Sequence, residues 1–431
     1  MLHTNVKINE LGHLEFAGAD VTVLAKKYGT PLMLLDSERV KSNVNVYVNG
    51  LKSAFTPTSF PCYASKALSI KEIYRIVKAQ GAGIDVVSCG EIYTAKSVDF
   101  PMEKAFFHGN NKTDSDILYA IENGVGYFVV DNVEELNAID SIANSKGIKQ
   151  NVLIRITPGI DPHTNAKITT GQVDSKFGTP IETGQAFDIT SKALALKNVC
   201  LKGFHCHVGS QCFDSTSFID ATKIMLTFIR DVKNLFGFDT EILNLGGGYG
   251  VRYVESDPEI DVLKNLEIVG KTFNDILKEY NLNVKTVILE PGRSIVANAG
   301  LTLYTAGSFK TIDGYKSYLS IDGGMTDNPR FALYGSDYTV INASKASLEK
   351  TVIATIAGRC CESGDVIQEN VSIQQTSRGD IIAVLVTGAY NYSMASNYNK
   401  LCRPMMVAIE NGIDKVIVKR ETFEDLIKNE I

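Results

Sequence analysis

No stretch of about eighteen apolar residues, no basic run of five or more and no C-x-x-C pair occurs in this 431-residue chain. The first absence disfavours a membrane-spanning helix. The second, with a net charge of −6, argues against a nucleic-acid partner. The third leaves the eight cysteines (62, 89, 200, 206, 212, 360, 361, 402) as free thiols of a reducing compartment. The opening MLHTNVKINELGHLEF has neither a basic stretch nor an apolar core ending in small residues, so no secretory signal is read and a cytoplasmic protein is expected. Low-complexity tracts, Pro-rich linkers and repeats of about 20 to 50 residues are missing too, which argues against a solenoid. What remains is globular in composition, 44% apolar and 21% charged, and long enough for one large barrel plus a second domain.

One pattern recurs instead. Short β-branched or aromatic runs end in a polar or glycine-rich turn and lead into a segment of helical periodicity. The runs are 61–65, 83–88, 104–108, 126–131, 152–156, 201–207, 241–245 and 286–290. Between them, 69–81 places Ile70, Ile73, Ile76 and Val77 on one helix face, and 115–124 ends on a glycine stop. Eight such units predict an α/β fold with a parallel (β/α)8 TIM-like barrel. After about residue 295 the texture turns to short strands (TLYTAGSFKTI, YKSYLSIDGG, KTVIATIAG, DIIAVLVTGAYN) with few helices. The expected organisation is a barrel over 35–295, a mostly β domain over 296–431, and an N-terminal segment, 1–34, whose strand-like pieces NVKIN and HLEFAG join that β domain.

Reacting groups of such barrels sit where strands end and loops begin. Lys66 follows the first run, Asp85 and Ser88 lie in the second, and His108 closes the third. Arg155 is in the fifth, His207 ends the sixth, Gly246, Gly247 and Gly248 follow the seventh, and Glu290 ends the eighth. A lysine at a strand end can form a Schiff base with an aldehyde. Glycine N–H groups can approach an oxyanion, and loops after the last barrel strands often hold phosphate. A carboxylate can keep a pyridine nitrogen protonated. Singly these are an ordinary surface lysine, a tight turn and an ion pair with Arg293; together they point to pyridoxal phosphate. His205 and His207 share a strand face, but no third ligand is spaced nearby and no metal is expected.

The motifs YASKA (63–67), GIDVVSCGE (83–91), HGNNK (108–112), DSKFG (174–178), FHCHVGSQ (204–211), LGGGYG (245–250), EPGRS (290–294), IDGGM (321–325), CESGD (361–365) and GAYNYSMASNYN (388–399) carry a resemblance. In this order, along nearly the whole chain, the sequence resembles the diaminopimelate decarboxylases. These belong to the pyridoxal-phosphate fold-type III enzymes, which include ornithine decarboxylase and, more distantly, alanine racemase. The resemblance implies decarboxylation of meso-2,6-diaminopimelate to L-lysine, the last step of lysine biosynthesis. It implies that Lys66 holds the cofactor aldehyde, His207 stacks on its ring and Glu290 faces its pyridine nitrogen. Ser210, Gly246 to Gly248 and Arg293 fall on the phosphate side, with Pro291 and Gly292 beside them; Asp85 and Arg155 join the cofactor set. Tyr390 reaches the cofactor from the β domain. Arg330, Tyr334, Glu362 and Tyr390, with Arg293 shared, fall where relatives bind substrate, and Cys361 falls on the proton donor. In relatives CESGD comes from the partner subunit, so a homodimer with composite sites is implied.

Three positions depart from the family pattern. Arg359 and Cys360 stand where Pro and an apolar residue are usual, Pro329 precedes Arg330 where the proline usually follows it, and Asn165 replaces a frequent histidine. The alternatives are a decarboxylase of ornithine, arginine, lysine or carboxynorspermidine, a racemase, and a non-catalytic cofactor-binding paralogue. The pair Arg330 and Glu362 suits a substrate whose distal end is itself an amino acid, one cation for its carboxylate and one anion for its amine. The presence of Lys66, Cys361, Glu290 and Arg330 argues against the inactive form.

Overall fold

The computed structural model describes residues 3–159 and 175–431; Asn165 and Asp174 lie outside the described residues. The chain divides into two compact units, one of Met1–Val40, Arg252–Pro258 and Ile295–Ile431, the other of Lys41–Val251 and Glu259–Ser294.

The second unit is the barrel. Its strands are Phe60–Ala64, Gly83–Val86, Ala105–Phe107, Tyr127–Val130, Gln150–Thr157, Val199–His205, Ile242–Asn244 and Thr286–Leu289. Each pairs in parallel with the next, and Thr286–Leu289 returns to Phe60–Ala64 through Ile288↔Phe60 and Leu289↔Pro61, closing the ring. All eight runs read from the sequence are these strands. Parallel strands covered on the outside by helices are buried on both faces, which explains why the runs read as continuously apolar rather than alternating. Cys62, Phe106, Val129, Leu153, Ile242 and Ile288, one from each of six strands, form a packed cluster. The helices form where the caps allow. Lys71–Ala79 buries Ile73, Ile76 and Val77, and Asp114–Glu122 starts on a capping box between Thr113 and Asp116.

HGNNK acquires a structural role here. The Lys112 ammonium is buried and donates to Gly109 O at 2.9 Å, to Val129 O at 2.9 Å and to Glu135 Oε1 at 2.7 Å. It thereby ties the turn after the third strand to the helix after the fourth. Burial pulls the Lys112 pKa down and pushes that of Glu135 up, each opposed by its partner. Removing one member of a buried pair strands the other's charge. Lys112→Met should therefore lower stability by about 3–5 kcal/mol. Lys112→Met combined with Glu135→Leu should recover most of the loss, read from urea midpoints.

The first unit is mostly β. The pieces NVKIN and HLEFAG form Val6–Ile8 and Leu14–Phe16, which with Ala19–Asp20 make a small sheet of their own. The N-terminal strand that enters the large sheet is a different one, Leu32–Asp36, held antiparallel to Gly300–Ile312 and parallel to Met405–Glu410. Its five residues are all buried, so it has no alternation to announce it. No helix among the described residues is long and apolar enough to cross a membrane.

Candidate functional site

At the end of the first barrel strand the chain turns through a single 3-10 turn, Ser65–Ala67. Ser65 and Ala67 are buried and Lys66 between them is exposed. Its charge is felt at Asp85 and at His207, so all three belong to one end of the barrel. Asp85, in the second strand, is buried, and its Oδ1 has no hydrogen-bond partner among the described residues. Burial pushes the Asp85 carboxyl up against the pull of His108.

Glu290 closes the eighth strand and is also buried. Its Oε1 accepts from Asn244 Nδ2 at 2.6 Å and lies 2.7 Å from His108 Nε2; its Oε2 is 3.1 Å from His205 Nε2. Burial alone would raise the pKa of this carboxyl, but the two imidazoles outweigh it and hold the group well below the usual carboxylate range. His205 is pulled down to about 4, because burial outweighs the attraction of Glu290. It is thus neutral, and its bond to Glu290 assigns the proton to Nε2. The grouping therefore differs from the one the sequence spacing offered. His205 meets His108 and Glu290, their ligand atoms all within 4.8 Å of one another, and His207 serves elsewhere. The 2.7 Å contact is shorter than the roughly 3.3 Å that two ligands about 2.0–2.1 Å from one tetrahedral ion would keep, so it reads as a direct ion-pair contact, in which His108 Nε2 is not aligned for a hydrogen bond among the described residues.

The glycine run is shaped by the eighth strand. Gly246 O accepts from Glu290 N at 2.8 Å, and a Cβ on Gly247 would stand 2.1 Å from Glu290 O. Gly246 and Gly248 have φ of 70° and 129°, values that exclude most side chains. Of the three N–H groups in the run, two are already engaged within the chain. Gly246 N–H donates to Asn244 Oδ1 at 2.9 Å and Gly247 N–H to His207 Nδ1 at 3.2 Å. Gly248 N–H makes no hydrogen bond among the described residues. The bond from Gly247 assigns the His207 proton to Nε2 and fixes the ring. Burial, with Lys66 and Arg155 nearby, takes its pKa well below the ordinary value, so the ring is neutral. Arg293 is buried and donates from Nη2 and Nε to Ser210 Oγ at 3.1 and 3.3 Å. Pro291 O accepts from Ala64 N at 3.2 Å, and Gly292 packs on Ala64 and Ala67. Arg155 lies over the Phe177 ring, 4.5 Å from its centroid, and is within electrostatic reach of Asp131, Glu290 and Asp85. Lysine, ionised carboxylate, neutral imidazole, an arginine–serine pair and an open glycine N–H are the donor set that pyridoxal phosphate requires, and the residues fit it.

In the first unit, Arg330 opens the short helix Arg330–Tyr334 and is buried. Its guanidinium carbon lies 5.1 Å from the Tyr334 ring centroid and 5.2 Å from that of Tyr390, cation–π contacts that leave its charge in place, and its Nη2 donates to Ser336 Oγ at 3.4 Å. Tyr390 holds a φ of 67°, a strained value for a tyrosine. CESGD is a tight turn. Asp365 is buried and its carboxylate accepts from Cys360 N at 2.7 Å and Met325 N at 2.6 Å, joining CESGD to IDGGM. Cys360 is buried, and burial beside Asp365 pushes its thiol up to about 11. Cys361 and Glu362 are exposed, and Cys361 N–H donates to Asn399 Oδ1 at 2.7 Å. Asn244 and the pairing of His108 with His205 were not read from the sequence; the signal available was that each stands at or beside the end of a barrel strand.

Residues 41–297 match the family described as pyridoxal-dependent decarboxylase, pyridoxal binding domain. The chain is 40% identical over 432 residues to the diaminopimelate decarboxylase of Bacillus subtilis (strain 168), covering 99% of this chain and 97% of that one. It is 38% identical over 426 residues to that of Staphylococcus aureus (strain COL), covering 99% of each. Among solved structures, the diaminopimelate decarboxylase of M. jannaschii in complex with L-lysine superposes with a TM-score of 0.92 at 36% identity, over 100% of this chain and 99% of that one. With the Lys66 turn, the Glu290 carboxylate and the glycine run at one end of a closed barrel, this chain belongs to the diaminopimelate decarboxylase family of pyridoxal-phosphate-dependent carboxy-lyases.

Proposed function

We infer that the protein removes CO2 from meso-2,6-diaminopimelate to give L-lysine, using pyridoxal phosphate, and that it works as a cytoplasmic homodimer. The observation that carries the chemistry is the buried, ionised Glu290 carboxylate at the barrel end that also holds Lys66 and the Ser210–Arg293 pair. Bound pyridoxal phosphate supplies an electron sink for the pair left on the α-carbon when CO2 departs.

The chain's own residues hold and orient. Lys66 would be the covalent attachment point for the cofactor aldehyde. The neutral His207 ring, fixed by Gly247, offers a flat face to the cofactor. Glu290 would hold the pyridine nitrogen, with Asp85 and Arg155 completing the polar surround. Gly248 N–H, Ser210 Oγ and Arg293 would hold the phosphate, with the close-packed backbone of Gly246, Gly247, Pro291 and Gly292 beside them. Tyr390, the residue that would reach the cofactor from the β unit, holds Arg330 together with Tyr334. Cys361 returns the proton to the α-carbon; its exposure on the single chain suits that task better than the buried Cys360, whose thiol is held protonated by burial.

Substrate choice rests on Arg330 for the distal carboxylate and Glu362 for the distal amine, with Arg293 sharing the carboxylate side. A lost charged hydrogen bond costs about 1.5–3 kcal/mol, or roughly ten- to a hundredfold. The test is kcat/KM for diaminopimelate, L-lysine, ornithine and arginine. Diaminopimelate should lead, L-lysine should be very poor, and Arg330→Ala should lower diaminopimelate by about ten- to a hundredfold, narrowing that gap. If ornithine or arginine leads with the unmodified protein, the named substrate is wrong.

A further inference from the structure

Four side chains of the barrel end converge from four strands: His108 after the third, His205 at the end of the sixth, Asn244 at the end of the seventh and Glu290 after the eighth. All four are buried. No single strand places two of them, so the meeting is a product of barrel closure. We propose that His108, His205 and Asn244 are positioning residues that act through Glu290, a three-sided clamp that fixes its carboxylate for the pyridine nitrogen of the cofactor. The proposal rests on the reading of Glu290 given above and extends it to residues without contact of their own to the reacting atoms.

An ionised carboxylate offers about four acceptor positions. Asn244 donates to Oε1 at 2.6 Å and His108 Nε2 stands 2.7 Å from the same oxygen without an aligned hydrogen bond, whereas among the described residues Oε2 receives only His205, at 3.1 Å. The carboxylate is thus pinned at one oxygen and steadied at the other, with an acceptor position on Oε2 left for a further N–H. Asn244 is itself oriented, since its Oδ1 accepts from Gly246 N–H at 2.9 Å, so its amide nitrogen points at Glu290. The same bond links the clamp to the glycine run. His205 packs edge-on against His108, the ring centroids 4.8 Å apart, and its Nδ1 has no hydrogen-bond partner among the described residues. A buried imidazole left with a bare Nδ1 is tolerated when its other nitrogen makes a bond worth keeping, here the bond to Glu290. The two hydrogen-bond donors, the Asn244 amide and the neutral His205, suit the task. They stabilise the negative charge of Glu290 without placing a second positive charge beside the pyridinium that Glu290 is to stabilise.

The test reads the proton on the pyridine nitrogen rather than turnover alone. The holoenzyme is prepared with cofactor labelled with 15N in the ring, and its 15N chemical shift is compared for wild type, Glu290→Gln, His205→Met, His205→Gln and Asn244→Leu. Wild type should show the protonated ring and Glu290→Gln the neutral one. His205→Met and Asn244→Leu, which remove a donor at similar volume, should move the shift toward neutral. They should also lower kcat by roughly ten- to a hundredfold with little change in KM. His205→Gln keeps an N–H donor and should recover most of the wild-type shift. If Glu290→Gln gives the neutral ring and the donor-deleted variants do not, the clamp is overturned while the role of Glu290 stands. If Glu290→Gln leaves the ring protonated, the reading of Glu290 falls and the clamp with it. Should one variant fail to fold, the other donor deletion decides, because the two lie on different strands and reach different oxygens.

Discussion

Borohydride added to the purified protein should fix the cofactor to Lys66, and Lys66→Ala should lose both the trapped adduct and essentially all turnover. The expectation starts from where the chain puts this lysine. It follows immediately on a barrel strand, in a one-turn segment whose flanking residues, Ser65 and Ala67, are buried. The backbone therefore has little freedom, while the exposed side chain lies at the end where Asp85, His207 and Glu290 gather. A covalent step cannot be replaced by a neighbouring group, so its loss is expected to exceed that of any hydrogen-bonding residue, for which one to two orders of magnitude is usual. Peptide mapping decides the matter: an adduct on Lys112 or any other lysine would remove Lys66 from its role. Lys112 is the instructive control, since its ammonium is already engaged by two carbonyls and Glu135 and should not be modified.

Much of the barrel was legible because each of its strands is a short apolar run bounded by turn residues, and closure at eight needs no long-range information beyond the count. What was not legible followed from burial on both faces or from separation along the chain. Leu32–Asp36 carries five buried residues and no alternation, and it pairs with strands whose first residues are Gly300 and Met405. Nothing local distinguishes it from a loop with apolar residues. Arg252–Pro258, a short excursion that packs with the β unit, carries no sequence signal either. At the site, the strand-end positions of Lys66, His207 and Glu290 could be read one by one, whereas their partners could not. Asn244 and Glu290 are 46 positions apart, His205 and Glu290 are 85 apart, and only ring closure makes them neighbours. The glycine run shows the same limit. Its backbone freedom was evident from composition, but two of its three N–H groups turn out to serve Asn244 and His207.

Mixing inactive Lys66→Ala protein with inactive Cys361→Ala protein should restore activity, up to about a quarter of the wild-type value. The prediction comes from the exposure of Cys361 and Glu362 on a tight turn whose buried anchor, Asp365, holds the backbone and leaves both side chains outward. A thiol that must deliver one proton to one carbon works best in a site closed to water, and a side chain exposed on its own chain can be enclosed by a second copy. In a mixed dimer, one site would pair Lys66 of the Cys361→Ala chain with Cys361 of the Lys66→Ala chain, both intact; the other site would lack both. Equal amounts and free exchange make half the dimers mixed, each with one good site of two, hence about a quarter. The amount of mixed dimer must be verified with two distinguishable tags. Recovery that follows the mixed fraction supports a shared site, and its slope gives the activity of one site. Verified exchange without recovery would mean that each site is completed by its own chain, and Cys361 would then have to reach Lys66 without a partner.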